Sequence, residues 1–175
     1  MAGLAIPIPY QWQVGDVGSA ALLNAQVYNG LTYLLNPPTA AYQQTSSQSI
    51  ATSTQTAITW PTPVLDPYGG YAAGTPTRYT AQVAGYYLIS GSVSYVLNTA
   101  GNRLAEIHKN GVAAAVVQGA VPATTTGNAA TVAVTGLIYM NGTGDYIELF
   151  AYQNSGAPVG TTASVTSLNI IWMHA

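Results

Sequence analysis

The chain has no cysteine, one phenylalanine and almost no charge, with three Lys/Arg and five Asp/Glu among 175 residues, or 5% of the total. Each shortage excludes a class. Without cysteine there is no disulfide scaffold and no thiolate metal site. Arg78, Arg103 and Lys109 are the whole supply of Lys and Arg. They neutralise too few phosphates for a nucleic-acid binder and form no polybasic membrane patch. No apolar run approaches the roughly 18 residues of a membrane span. The start, Met1-Ala-Gly-Leu-Ala-Ile-Pro, lacks the basic n-region and long h-region of a secretory signal. The sequence predicts a protein made without a signal peptide, with neither nucleic acid nor membrane as partner.

What is present is apolar. Hydrophobic residues make up 49% of the chain at a net charge of −2, which is enough to fill a core and lies outside the low-hydrophobicity, high-charge regime of disorder. A lone domain of this length ordinarily stays dispersed through surface Lys, Glu, Asp and Arg. Here the surface has to be polar through Thr, Ser, Asn and Gln, or be covered by other subunits.

Three regions follow from composition. Residues 1–38 read as an arm and a helix. Ile6-Pro7-Ile8-Pro9-Tyr10-Gln11-Trp12 is barred from helix by its prolines and is expected to lie extended on a neighbouring surface. From Gly15 to Pro38 the spacing of Ala20, Leu23, Val27, Leu31 and Leu34 predicts a helix. Asp16 or Ser19 caps it, and Asn36-Pro37-Pro38 stops it. With a narrow apolar stripe it is marginal alone, so it is expected to pack on copies of itself or on another protein. Residues 39–56, rich in Ser, Thr and Gln around Tyr42 and Ile50, read as a linker. Residues 57–175 read as an all-β domain.

In that domain the best strand is Tyr86 to Leu97. It sets Tyr87, Ile89, Val93, Tyr95 and Leu97 on one face and Ser90, Ser92 and Ser94 on the other. Further strands are expected at Ala57–Trp60, Arg78–Gln82, Arg103–Lys109, Val112–Gln118, Thr131–Met140, Tyr146–Gln153 and Val165–Met173. About eight strands with no helix between them predict an antiparallel jelly-roll sandwich. Two strands are apolar on both faces. Tyr146, Phe150 and Tyr152 oppose Ile147, Leu149 and Ala151, while Leu168, Ile170 and Trp172 oppose Val165, Ile171 and Met173. A doubly apolar sheet needs a second cover, here another subunit. Tyr146, Phe150, Tyr152, Leu168, Ile170 and Trp172 are the candidate interface residues.

No catalytic, metal-binding or cofactor-binding constellation stands out. His108 and His174 have no acidic or histidine neighbour at metal-site spacing and read as exposed residues. Glu106 and Glu148 read as solvated strand charges. Arg103, Glu106, Lys109, Asp145 and Glu148 fall within one stretch and are expected to form ion pairs between strands or subunits. Asn141-Gly-Thr143 reads as a β-turn, and Tyr68 and Tyr71 as turn residues packed on the sandwich edge. No enzyme activity is expected.

Three segments in register resemble the complement globular-head family, whose fold is the tumour-necrosis-factor-like jelly roll. They are Tyr79-Thr-Ala-Gln-Val-Ala-Gly-Tyr-Tyr-Leu-Ile-Ser-Gly-Ser-Val-Ser-Tyr95, then Gly101-Asn-Arg through Ile107-His-Lys-Asn-Gly111, then Gly144-Asp-Tyr-Ile-Glu-Leu-Phe-Ala-Tyr-Gln-Asn-Ser-Gly156. The resemblance covers about residues 57 to 175 and implies a homotrimer with apolar strand faces near the threefold axis. The leader also has a likeness. Pro7-Ile-Pro-Tyr-Gln-Trp12, Gly15-Asp16, Ala20-Ala-Leu-Leu-Asn24 and Tyr33-Leu-Leu-Asn-Pro-Pro38 resemble the start of small virion proteins from phages of actinobacteria, commonly labelled minor tail proteins.

Together the two likenesses imply a structural virion protein of tail or capsid. Its partners would be itself and other virion proteins, and Ile6, Ile8, Tyr10, Trp12, Leu23, Val27, Leu31 and Leu34 are the candidate anchor residues. The alternative is a module that recognises a host-surface glycan or protein.

Overall fold

In the strand Ala84–Tyr95 (β5) apolar and small polar residues alternate, and Tyr87, Ile89, Val93 and Tyr95 are all buried. That alternation aims one face of the strand at a core and the other outward. The structure, a computed structural model, describes residues 7–111, 116–124 and 129–175. Ile6 and residues 112–115 of the expected Val112–Gln118 strand lie outside the described residues.

Around β5 a four-stranded antiparallel sheet forms with β1 (Thr39–Gln43), β8 (Ala130–Asn141) and β11 (Ser167–His174), in the order β1-β11-β5-β8. The second sheet is built from β6 (Asn102–Lys109), β7 (Val117–Pro122) and β9 (Tyr146–Gln153). Along the outer edge of β9 lie two short strands in succession, β3 (Thr56–Ala57) and β4 (Arg78–Thr80). A further short pair, β2 (Ser49–Ile50) with β10 (Val159–Gly160), sits at the rim. Apart from the paired β6 and β7, successive long strands switch between sheets, which makes the architecture the antiparallel jelly-roll sandwich that the residue pattern predicts.

The core lies between the sheets, where Tyr87, Ile89, Ile138, Met140, Ile170 and Leu168 meet Ile107, Ile147 and Leu149. Burying each such side chain stabilises the fold by about 1.5–3 kcal/mol. The sheets approach closely at Gly91, where a Cβ would come within 2.8 Å of Leu149 Cδ1. Two of the thirteen tyrosines use their hydroxyls inside the sandwich. Tyr87 donates to the Val83 carbonyl at 2.7 Å, and burial pushes its phenol up to about 12. The Tyr95 hydroxyl donates to the Leu104 carbonyl and accepts from the Tyr152 N–H, tying β5 to β6 and β9 opposite.

The segment 39–56 is not a linker. Thr39–Gln43 pairs residue for residue with β11, from Thr39 opposite Ile171 to Gln43 opposite Ser167. Tyr42 and Ile50 are buried in the core. Ser, Thr and Gln imitate a linker in composition, but a strand paired on one side carries polar side chains on its outer face and needs only alternate apolar ones. The jelly roll therefore begins at Thr39.

The leader helix spans the whole expected stripe but is shorter than the expected Gly15–Pro38 segment. It runs as an α-helical turn (Ala20–Leu23), a π turn (Asn24–Tyr28) and a second α segment (Asn29–Leu35). Ser19 caps it by accepting from the Leu22 N–H at 3.2 Å. Asp16 is engaged elsewhere, accepting from the Gln13 N–H and the Tyr10 hydroxyl, so the helix starts at Ala20 rather than Gly15. The arm folds back on the helix through the Tyr10 N–H, which donates to Gln26 Oε1 at 2.8 Å. No helix among the described residues is long and apolar enough to cross a membrane.

Candidate functional site

The register of the first sheet builds its outer face row by row. Ile171 lies opposite Leu88, and Leu88 opposite Leu137, so three aliphatic residues from β11, β5 and β8 form one continuous band. The next row sets His174 and Tyr139 on either side of Tyr86. The Tyr86 ring is 5.4 Å from Tyr139 and 5.1 Å from His174. Met173 adds to the same end. Leu137, Tyr139, Ile171 and Met173 are each about half exposed or more, an unusual display for large apolar groups gathered in one place.

Beyond that band the same face turns polar. Thr135 donates to Ser90, Thr131 to Ser94, and the Ser92 and Ser167 hydroxyls lie 3.1 Å apart. The face is thus divided along the strands, with its apolar half next to the helix.

The expected interface residues do not form one surface. Leu168 and Ile170 are fully buried within the chain's own core and unavailable to a partner. Their side of β11 is the inner one, and the outer side carries Asn169, Ile171 and Met173. Trp172 faces inward too, packs against the core and donates its indole N–H to the Ala84 carbonyl at 3.0 Å. It lies directly over Gly85, where a Cβ would come within 2.4 Å of Trp172 Nε1. Tyr146, Phe150 and Tyr152 are half-buried on the outer face of the second sheet, the opposite side of the sandwich. Leu97, expected in the core, lies exposed beyond the end of β5.

Sequence reasoning missed Tyr86, Leu88, Leu137 and Tyr139. The signal for two of them was there: in 130–141 every second residue faces out, and Leu137 and Tyr139 follow Thr131, Ala133 and Thr135 on that face.

The candidate anchor residues Ile8, Tyr10, Trp12, Leu23, Val27, Leu31 and Leu34 are all exposed, while Ile6 lies outside the described residues. The opposite flank of the helix joins the sandwich through Tyr33, whose ring meets Trp172, and through the Tyr68 hydroxyl, which donates to the Asn36 carbonyl at 2.8 Å.

The polar residues of the second sheet are the largest departure from expectation. Glu106, His108 and Glu148 are buried rather than solvated. His108 and Glu148 are direct cross-strand partners, and so are Glu106 and Phe150. Each acid is held. Glu106 lies 3.0 Å from His108 Nε2 and accepts from Gln55 at 2.7 Å. Glu148 accepts from Thr77 at 2.6 Å and from Arg78 Nε at 3.2 Å. Aromatic rings complete the cover, with Phe150 4.2 Å from the His108 ring and Arg78 4.0 Å over Tyr146. Partnering of this kind lets a carboxylate stay buried without a large desolvation cost.

Lys109 and Asp145 form the expected ion pair between neighbouring strands, at 2.8 Å. Burial alone raises the Asp145 carboxyl, but hydrogen bonds from Lys109, Asn110 and the Asn141 amide outweigh it and hold the group below the ordinary carboxylate range. Arg103 is buried and bonds the oxygens of Asn98, Ala100 and Asn102. Asn141 closes its turn as expected, with Oδ1 accepting from the Thr143, Gly144 and Asp145 amides. Among the described residues, no three His, Asp or Glu side chains are grouped to hold a metal ion.

No protein-family model matches the chain, and no curated protein matches its sequence. Solved structures do match its shape. The crystal structure of murine APRIL at pH 5.0 is similar with a TM-score of 0.60 at 15% identity, covering 78% of this chain and 98% of that one. The structure of murine APRIL at pH 8.0 has a TM-score of 0.59 at 17% identity, over 78% of this chain and 98% of that one. That of Eiger TNF from S. frugiperda has a TM-score of 0.52 at 12% identity, covering 78% of this chain and 92% of that one. The chain has a tumour-necrosis-factor-like jelly-roll fold.

Proposed function

We propose that this jelly roll is a structural protein of a phage virion. It is a homotrimer, docked on the particle by its N-terminal arm and helix, with the sandwich projecting outward as a minor tail, fibre or capsid-decoration element. The observation that carries this reading is the exposed apolar band of Tyr86, Leu137, Tyr139, Ile171 and Met173 around the partly buried Leu88, on a chain with so little charge. A second copy is the simplest cover for a strand face of this kind, and a closed ring of copies buries it on every chain.

Docking by the leader is supported by the exposed stripe Leu23, Val27, Leu31 and Leu34 and by its likeness to the leaders of actinobacteriophage virion proteins. The leader has Pro and aromatic residues for an extended contact and no Lys or Arg for an electrostatic one. Its partners on this reading are copies of itself and other virion proteins. The buried acids have partners already, which supports a role without catalysis, cofactor or bound metal.

A second reading, recognition of a host-surface glycan or protein, is compatible with the first. It is favoured by strand direction. β1 and β5 both run away from the helix and β11 runs back to it, so the loops at the far end are free of the leader.

Native mass spectrometry of the purified chain tests the assembly, with a trimer expected and a stable monomer at micromolar concentration overturning it. Incorporation of a chain lacking residues 1–38 into phage particles tests the docking. Its exclusion is expected, and normal incorporation places the anchor elsewhere.

A further inference from the structure

The loops at the end of the sandwich opposite the helix enclose a recess of about 320 Å³. It is lined by Thr45, Ser46, Ser47 and Thr59, together with Gln44, Gln48, Trp60 and Pro61. We infer that this recess seats a single uncharged sugar residue. The inference rests on the outward-projecting reading above, because the recess begins where β1 ends, after a strand of 5 residues that runs away from the helix, which sets it on the order of 20 Å from the end of the leader.

Three features of the recess fit that ligand. First, none of the residues lining it is charged. A carboxylate, phosphate or ammonium entering it would lose water without gaining an ionic partner, whereas hydroxyls gain hydrogen bonds of the kind they leave.

Second, its frame is fixed before anything binds. The Thr161 hydroxyl donates to Gln44 Oε1 at 2.7 Å, and Gln44 Nε2 donates to Gln48 Oε1 at 3.1 Å. Gln48 in turn accepts from the Thr59 amide at 2.9 Å and donates to the Ala57 carbonyl at 2.8 Å. The two glutamines are consumed in holding the loops, which leaves the exposed hydroxyls of Thr45, Ser46, Ser47 and Thr59 facing solvent. Each is both a donor and an acceptor, the complement of a sugar hydroxyl. A rigid frame also spares the loop-ordering cost of binding.

Third, Trp60 is 1% exposed and its Nε1 is a buried donor with no hydrogen-bond partner. Buried donors are ordinarily satisfied, and this one belongs to a residue that lines the recess. Pro61 adds apolar surface to the same lining, and a sugar's C–H face can rest on it while the hydroxyls point to the loop. The volume is at the small end of ligand sites, about 300 Å³, which suits one residue rather than an extended chain.

The test is a titration of the full-length, ¹⁵N-labelled protein with methyl α-D-mannopyranoside, methyl β-D-galactopyranoside and methyl N-acetyl-β-D-glucosaminide, with glucuronate as the charged control. At least one neutral sugar is expected to give saturable shifts of the Trp60 indole N–H and the 45–48 amides, with a Kd on the order of millimolar. Glucuronate gives none. Ser46→Trp, which fills the recess, and Thr59→Glu, which charges it, both abolish the shifts while keeping a dispersed spectrum.

No saturable shift with any of the three sugars overturns the inference. So do shifts centred outside the recess, or shifts that survive in both variants. Sedimentation of the same sample keeps the two readings apart. A trimer with a silent titration removes the sugar seat alone, and a monomer removes the assembly it was meant to serve.

Discussion

The Tyr33 ring of the leader helix meets the Trp172 ring of β11 edge-on, with centroids 5.3 Å apart and planes at 87°. This pair is the seam between leader and jelly roll. On one side of it the helix offers its exposed stripe, and on the other Trp172 continues into the core. Tyr33 is half-buried at this seam, and burial pushes its phenol well above its ordinary range.

Tyr33→Ala is expected to undock the helix without unfolding the sandwich. An edge-to-face aromatic pair contributes about 0.5–1.5 kcal/mol beyond its area, and the helix has few other contacts with the strands. Limited proteolysis with thermolysin should cut within 20–35 several-fold faster, while the main thermal transition moves by no more than a few degrees. A large loss of melting temperature would instead make the helix part of the folding unit.

The two faces of the sandwich separate in their response to a new charge. Leu137→Asp and Ile171→Asp place a carboxylate in the apolar band, where desolvation in an interface costs several kcal/mol. Sedimentation is expected to move from trimer to monomer with the circular dichroism unchanged. Phe150→Asp on the far side is expected to leave sedimentation unchanged and to lower the melting temperature, because it strips the ring from His108. The reverse pattern would move the interface to the second sheet.

Truncation distinguishes the two domain boundaries. A chain beginning at Thr39 keeps β1 and is expected to melt cooperatively. A chain beginning at Ser53 loses β1 and β2, with Tyr42 and Ile50, and leaves one edge of β11 unpaired. Those two side chains alone contribute about 3–6 kcal/mol, against a typical total of about 5–15 kcal/mol. Loss of the cooperative transition by circular dichroism or calorimetry is the expected result.

Acid stability tests the Lys109–Asp145 pair. The Asp145 carboxyl titrates lower when folded than when unfolded, so its contribution is fully present above the unfolded carboxylate value, about 4. It disappears as pH falls through the folded value. Asp145→Asn is therefore expected to lower the melting temperature at neutral pH, and the gap to the parent chain should close as pH drops toward about 2. A gap that is constant across that range would assign the loss to packing instead.

Much of the fold is legible in the residues. Period-two alternation in 86–97 and 146–153 marks strands whose inner faces include Tyr87, Ile89, Ile147 and Leu149, and the structure keeps these four inside while Leu97 falls beyond the strand. The stop at Pro37-Pro38 and the turn at Asn141 are local chemistry and also survive. The failures share one cause, which is that a residue's partner can be distant in sequence. Thr39–Gln43 looks like a polar linker until β11, about 130 residues later, supplies the other half of its ladder.

Composition and tertiary structure decided different things about this protein. The lack of cysteine and charge, the strand periodicity and the two apolar faces of 165–173 are properties of the chain itself, and they alone called for a β sandwich with more apolar surface than one copy can bury. Which of those faces is outermost depended on pairing. Once β11 lies between β1 and β5, Leu168 and Ile170 turn into the core, and Ile171 joins Leu88 and Leu137 in one exposed band. Glu106, His108 and Glu148 likewise read as separate solvated residues until β6 and β9 lie side by side. Burial and charge pairing depend on distances in space, and only the register of the sheets sets those.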